Sequence, residues 1–493
     1  MKMITLLTSC LLLLTTYSSM ARQATDRATQ QMDSLFAAYN TTTPGVAIAV
    51  VKDGQTIFQK GYGTANLEYG IPITPSTVFQ SASVSKQFTA FAIYLLEKQG
   101  KISMEDDIRR YFPELPDYEK PVRIRHLLAH TGGIKDEWAF LTIAGWQEED
   151  VITTDQILRL LARQKELNFT PGTTFGYSNT GYTLLAELIH RVSGLSFSAY
   201  TKKYIFEPLG MVNTQFYDDY HKIIKNRAYS YEKANGVYER RELIFSNVGP
   251  TSLYTTAEDM TRWAANFTTP KVGDAALIKA FNTISLLDNN KPVIYAISAN
   301  DTLYHSKGQV SWRYRGLNVY SHGGHVAGYR AWLFRVPEQN FAIVALSNDE
   351  HYDILNTGKQ IVGFYLKDKL NEAPGNTADA ATPLKDTTAD YKTNLNELAG
   401  EYYSEELDTK YKIAVSNDTL TMHHTRLKDI VLNRKGEYAF SGINTFPFDI
   451  AFIKDGKAIT AFSISNFGVK NVRFTRIGGG TFKRTASNTS AKK

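Results

Sequence analysis

Cysteine is almost missing from this 493-residue chain; the one residue is Cys10, inside an N-terminal segment that reads as an export signal. A mature chain beginning after Ala21 would hold none, which excludes disulfides, a thiol nucleophile and cysteine-based metal sites. Long apolar runs are missing too, and no stretch approaches the ~20 residues that a membrane-spanning helix needs. Nor is there a dense block of one charge outside the C-terminal tail. The net charge of +6 is spread over 55 Lys and Arg and 49 Asp and Glu, a balance that does not argue for nucleic acid.

What remains is globular. The hydrophobic share is 43%, and 29 Tyr with 26 Phe favour an extensive sheet component. The length suits two or three domains. Lys2, the apolar run from Ile4 to Leu14 and the small-residue site Ser19-Met20-Ala21 make residues 1–21 a signal peptide. A lipid-attachment box at Leu7-Thr8-Ser9-Cys10 is the competing reading. It is weakened because the strongest apolar residues, Leu11 to Leu14, follow Cys10 instead of preceding it. The protein is expected to be exported, periplasmic or secreted.

After a polar helix around Thr25 to Tyr39, two β-rich runs, Gly45 to Val51 and Thr56 to Lys60, flank Lys52-Asp53-Gly54, a hairpin signal. Residues 103–200 read as mostly helical. Residues 205–320 read as loops, short strands and one helix, Thr256 to Phe267. Strands return at Val319-Tyr320, Tyr329 to Val336 and Phe341 to Leu346, and a helix from Ile354 to Lys369 closes the first domain. A hairpin at one end, strands at the other and helices between predict an α/β (α+β) domain over residues 22–370. Its antiparallel sheet would be built from both chain ends, flanked by helices and joined to a mostly helical subdomain. Residues 371–390, polar and rich in Ala, Thr and Pro, read as a linker. Short β-rich runs separated by turn signals predict a small all-β domain over 391–477, and 478–493 reads as a flexible tail.

Three short motifs carry chemistry. Ser83-Val-Ser-Lys86 opens a helix whose stripe is Val84, Phe88, Phe91, Ala92, Leu95 and Leu96. Residues i and i+3 share one side of a helix, so Lys86 should stand beside Ser83 as its proton acceptor, at a helix start that favours a developing anion. Tyr177-Ser178-Asn179 lies in the turn-rich segment Thr170 to Gly181. A tyrosine held near cations can lose its proton below ~10 and serve as a base. The neighbouring Gly176-Tyr-Ser178-Asn-Thr-Gly181 is one residue too long for a nucleophile elbow, and no strand precedes it. His322-Gly323-Gly324 places two glycines in a strand or at its start, where close approach of a substrate to the backbone would explain them.

In this order, Ser83-x-x-Lys86, Tyr177-Ser178-Asn179 and His322-Gly323-Gly324 resemble the serine β-lactamase/penicillin-binding protein superfamily, specifically its class C-like branch. There the second motif begins with Tyr, and the third is often H-x-G in place of K-T-G. His126 to Gly133, Pro171 to Asn179, Ile205 to Met211, Thr255 to Met260 and Pro337 to Asn348 match family habit as well, and the resemblance covers about residues 30–365. It implies Ser83 as the acylated nucleophile, Lys86 as its proton-accepting partner and Tyr177 as the general base that also protonates the leaving group and activates the deacylating water. Asn179 would bind the substrate amide, and His322 would replace the third-motif Lys beside Gly323 and Gly324. The backbone N–H groups of Ser83 and His325 would form the oxyanion hole. His325 stands where smaller residues are usual. No metal or cofactor is implied. The resemblance extends to a small lipocalin-like barrel appended to such hydrolases, and to peptide, ester or β-lactam substrates. D-peptidases and esterases are favoured over a true β-lactamase; a non-catalytic penicillin- or cell-wall-peptide-binding protein is the reading from another class. His126, His130 and the pair His423-His424 read as structural.

Overall fold

The computed structural model describes residues 27–298, 301–372, 391 and 393–478. The expected signal peptide at 1–21, most of the expected linker and the expected tail beyond residue 478 lie outside the described residues.

The first domain is organised on one eight-stranded sheet. Its strands are β1 (Val46–Lys52), β2 (Gln55–Tyr62), β3 (Ile294–Ile297), β4 (Thr302–Ser306), β5 (Gln309–Tyr314), β6 (Leu317–Val326), β7 (Tyr329–Val336) and β8 (Phe341–Ser347). Their order is β3-β4-β5-β6-β7-β8-β1-β2, antiparallel throughout. The β1–β2 hairpin closes through Asp53 (φ 51°) and Gly54 (φ 76°), the paired positive φ values that a tight hairpin matching strand twist requires. As expected, strands from both chain ends meet, with Val46 opposite Ser347.

Both faces of this sheet are covered, so β1 is an unbroken apolar run instead of an alternating one. Ala47, Ala49 and Val51 enter a core shared with α2 (Ser85–Lys98), α5 (Asn179–Ser193) and α6 (Ala257–Asn266). Val46, Ile48 and Val50 enter the other core, with Met32 of α1 (residues 27–35) and Ile361 and Val362 of α8 (Ile354–Tyr365). Each such side chain removed from water contributes about 1.5–3 kcal/mol. The helical subdomain between the sheet halves includes α3 (Glu137–Ile143) and α4 (Thr154–Leu161).

Residues 205–320 are richer than their sequence suggests. They hold a second helix, α7 (Ala275–Phe281), and three strands of the main sheet, β3 to β5. These strands carry little alternation, since β3 is largely exposed and β4 half-buried, and the periodic signal fades accordingly.

The C-terminal domain is a closed eight-stranded barrel made of β9 (Gly400–Ser404), β10 (Thr409–Ser416), β11 (Thr419–His423), β12 (Ile430–Arg434), β13 (Ala439–Ile443), β14 (Pro447–Asp455), β15 (Ala458–Ser465) and β16 (Val472–Ile477). Closure leaves no free sheet edge. The barrel's interior does not end at its own wall: Ala139, Phe140 and Ile143 of α3 belong to the same apolar cluster. His423 ends β11 and pairs with Asp429, whereas His424, past the strand, packs on Tyr411.

Candidate active site

The strand Phe79–Gln80 pairs with Leu253–Thr255, and the chain then turns sharply. Ala82 adopts φ +46°, a left-handed conformation that costs an L-residue on the order of 1–3 kcal/mol and persists only where the surroundings impose it. A 3₁₀ turn, Ala82–Val84, runs directly into α2. Within the segment Ser81 to Lys86 only Ser83 keeps appreciable exposure. A strained elbow therefore presents one hydroxyl on top of a buried helix.

Lys86, one turn on and fully buried, lies 3.1 Å from Ser83 Oγ. Its Nζ also donates to Asn179 Oδ1 at 2.8 Å and to the Pro250 carbonyl at 2.9 Å. Burial pulls the ammonium down to about 7, although the Asp136 and Glu137 carboxyls work to raise it. A neutral amine has two N–H bonds and one lone pair. Asn179 Oδ1 and the Pro250 carbonyl can only accept, so they take both N–H bonds and the lone pair is left to face Ser83.

Asn179 is held in turn. Its backbone N–H and its Nδ2 donate to Asp136 Oδ2 at 2.6 and 2.9 Å, which fixes Oδ1 toward Lys86. Asp136 caps α3 through Oδ1, accepting from the N–H groups of Trp138 and Ala139. Burial pushes its carboxyl upward against these four donors. Beside it, Glu137 is pushed up to about 8 by burial and accepts from Thr183 Oγ1 and Asn247 Nδ2, both at 2.7 Å.

Tyr177 Oη lies 3.1 Å from Ser83 Oγ, and its ring stacks on His130 at 4.3 Å with Lys86 Nζ 5.0 Å from its centroid. The expectation that neighbouring cations would ease its ionisation is not met. Burial pushes the phenol well above its ordinary value, and the Ser83 hydrogen bond offsets only part of this. Tyr177 is thus a neutral hydroxyl. His130 accepts from the Ser178 N–H at 3.1 Å and stays neutral through burial; His126 reaches Asp288 at 3.0 Å. Both histidines pack and hydrogen-bond, as read from the sequence.

The third motif sits within β6, not at its start. β5 pairs with β6 only as far as Ser321, so His322 to Val326 has β7 on one side and an open edge on the other. A Cβ on Gly324 would lie 2.3 Å from the Ser81 carbonyl, whereas one on Gly323 would meet nothing within 4 Å. Gly324 thus lets the strand press against the Ser83 turn, and Gly323 leaves open space. His322 is buried, donates from Nδ1 to the Gly323 carbonyl at 2.6 Å and has no partner at Nε2. Burial, then the charge of Lys86, lower it to about 4, so this imidazole is neutral. His325 is exposed at the end of the strand.

Ser83, Lys86, Tyr177 and Asn179 therefore meet in one hydrogen-bonded group beside the strand of His322, Gly323 and Gly324. Sequence reasoning missed Asp136, Glu137 and the Pro250 carbonyl. The acidic pair left a signal, two carboxylates at the N-cap and first position of the short helix α3; a backbone carbonyl leaves none. Among the described residues no group of His, Cys, Asp and Glu could hold a metal ion, and no helix is long and apolar enough to cross a membrane.

Residues 30–360 match the family described as Beta-lactamase. The chain belongs to the beta-lactamase family. Within this superfamily of serine β-lactamases and penicillin-binding proteins, the D-aminopeptidase of Gluconobacter oxydans (strain 621H) is 26% identical over 310 residues, 62% of this chain. The chain spans 56% of the length of that relative. The octameric penicillin-binding protein homologue from Pyrococcus abyssi shares the fold with a TM-score of 0.60 at 20% identity, over 92% of this chain and 99% of that one. SurE does so with a TM-score of 0.59 at 18% identity, over 93% and 100%. Both structural matches are long enough to take in the barrel as well as the hydrolase-like domain.

Proposed function

We propose that the protein is an exported serine hydrolase that cleaves an amide or ester through an acyl-enzyme on Ser83, with a D-peptide or a small ester as acyl donor. The observation that carries this reading is the Lys86 amine, its two N–H bonds committed and its lone pair left to Ser83 Oγ at 3.1 Å. Lys86 takes the Ser83 proton as Oγ attacks the carbonyl carbon. The backbone N–H groups of Ser83 and His325 would receive the oxyanion. As the C–N or C–O bond breaks, Tyr177 Oη, a neutral donor 3.1 Å from Ser83 Oγ, passes a proton to the leaving group, and Lys86 replaces it. Water then attacks the acyl carbon and releases the acid, restoring Ser83. The second Nδ2–H of Asn179, not used by Asp136, is available to the substrate carbonyl. The D-aminopeptidase relative supports the choice of D-peptides, and residues 1–21 support export.

The test is labelling and turnover. The full-length protein is incubated with a fluorescent fluorophosphonate, a fluorescent penicillin, a D-alanine nitroanilide and a nitrophenyl ester, and Ser83→Ala is run alongside. Wild type should label with the fluorophosphonate and turn over the anilide or the ester, and Ser83→Ala should do neither. A wild type inert to every probe, or a Ser83→Ala variant that labels equally, refutes the proposal.

A further inference from the structure

The barrel is joined to the site by its β15–β16 turn. Within that turn, Asn466 Oδ1 accepts from the N–H groups of Gly468 and Val469 at 2.9 and 3.0 Å, so the loop is stapled to itself. The Gly468 carbonyl faces outward and accepts two bonds at 2.9 Å, from the Asp136 N–H and from Asn168 Nδ2. Asn168 Oδ1 accepts in return from the Lys470 N–H at 2.7 Å. A Cβ on Gly468 would lie 2.7 Å from Asp136 Cβ and 3.0 Å from Ala139 Cβ, so only glycine permits this approach.

Other contacts hold the same helix. Lys135, one residue before Asp136 and buried, pairs with Glu406 of the barrel at 2.9 Å. At the far end of α3 the Tyr411 hydroxyl donates to the Ile143 carbonyl at 2.7 Å, and between them Ala139, Phe140 and Ile143 complete the barrel's apolar interior. By packing, α3 is shared: Ala139, Phe140 and Ile143 enter the barrel's interior while Leu141 and Trp138 face the core of the first domain, and through its N-cap the helix reaches the site. The residue shared by both roles is Asp136, whose Oδ2 sets Asn179, whose Oδ1 holds Lys86.

We propose that the barrel is a positioning element of the catalytic centre, with the Gly468 turn fixing Asp136 and thereby the orientation of Asn179 and Lys86. This rests on the reading of Ser83 as nucleophile. Gly468 and Asn168 are positioning residues that touch no substrate, and the chain of contacts from the Gly468 carbonyl to Ser83 Oγ runs through Asp136, Asn179 and Lys86 alone. Removing the barrel's hold lets Asp136 rotate away from Asn179. The charged and titratable groups facing Lys86 are Asp136 and Glu137 of α3, Tyr177 and Tyr182, and the imidazoles of His130 and His322. Of these, the two carboxyls favour the ammonium, so withdrawing the Asp136 carboxylate makes Lys86 easier to deprotonate.

The experiment measures the rate of fluorophosphonate labelling from pH 5 to 9 for the full chain, in which the Ser83 Oγ–P bond forms, fluoride leaves and the proton passes to Lys86. Gly468→Ala should label about 10- to 100-fold more slowly at pH 8, the scale of a catalytic group misplaced by about an ångström from afar. Its acid limb should move to lower pH. Asn168→Ala, which loosens the turn without adding an atom, should shift the same way by less, and it carries the test if Gly468→Ala does not fold. Arg426→Ala cuts a different barrel contact, the pair with Asp150, and should keep the wild-type rate and profile. The inference is overturned if folded Gly468→Ala or Asn168→Ala labels like wild type. It is also overturned if they and Arg426→Ala lose labelling in step with melting temperature and with an unmoved pH profile. A wild type that does not label defeats the nucleophile reading instead, so the two failures are distinct.

Discussion

The pH dependence of Ser83 acylation follows directly from the burial of Lys86. With its ammonium pulled down to about 7, the reactive neutral amine makes up about half the molecules at pH 7, about a tenth at pH 6 and about a hundredth at pH 5. The acylation rate should therefore climb with unit slope from pH 5 to 7 and level above it, a span of about 100-fold or ~2.7 kcal/mol. No falling limb is expected below pH 10, because burial moves the Tyr177 phenol upward. Folding stability responds to the same groups and must be followed in parallel. Between about 7 and 10.5 the unfolded chain holds a Lys86 proton that the folded chain lacks, so stability rises with pH there. Glu137 acts oppositely: between 4.5 and about 8 the folded chain keeps a proton that the unfolded chain has lost, so stability falls as pH rises through that window. Single-turnover labelling at each pH, with a melting temperature recorded in the same buffer, separates the two. A rate that is flat from pH 5 to 9 in folded protein, or a limb near 10, refutes the reasoning. So does a Lys86→Arg variant that keeps the limb, since a guanidinium does not deprotonate in this range.

Tyr177→Phe should distinguish proton donation to the leaving group from a role at Ser83 itself: kcat/KM for an amide should fall about 100-fold or more, and that for a nitrophenyl ester, whose leaving group needs no proton, by much less; equal losses would remove the donor role. The two motif glycines should part company. Gly324→Ala, with its Cβ 2.3 Å from the Ser81 carbonyl, should lower both melting temperature and activity, whereas Gly323→Ala, with open space around it, should leave melting unchanged and raise KM; matched behaviour of the two in both assays would contradict this placement.

Much of the site was legible because its chemistry is local. Ser83 and Lys86 are linked by one helical turn, and Tyr177 and Asn179 by the entry to α5, whose first residue is Asn179 itself. Spacing on a helix carries direction and sets Lys86 beside Ser83; that Tyr177 and Asn179 join them rests on the motif order of the family the chain resembles, not on spacing. The supports were not legible for the opposite reason. Asp136 reaches Asn179 across 43 positions, and Pro250 reaches Lys86 across 164, through oxygens that no periodicity marks. The direction of the Tyr177 shift was also out of reach, because desolvation depends on what covers a group, and the groups beside Tyr177, among them Lys86, His130 and Tyr295, lie far from it in sequence. The all-β domain was readable from its turns, but its grip on α3 was not. Ala139, Phe140 and Ile143 look like any apolar helix face until the barrel closes over them.

The seam between β1 and β8 sets the order in which this protein can be finished. Val46 finds Ser347 about 300 residues later, and every rung of that ladder joins the first strand of the domain to its last. A chain emerging from its N-terminus can close the β1–β2 hairpin early, yet the outer edge of β1, Val-Ala-Ile-Ala-Val-Val, must then wait for β8 to arrive. Such a long closure is slow, and an uncharged, β-branched edge is what another chain would pair with in the interval. Holding back collapse until residue 347 has arrived is thus a demand the fold makes on whatever handles the nascent chain.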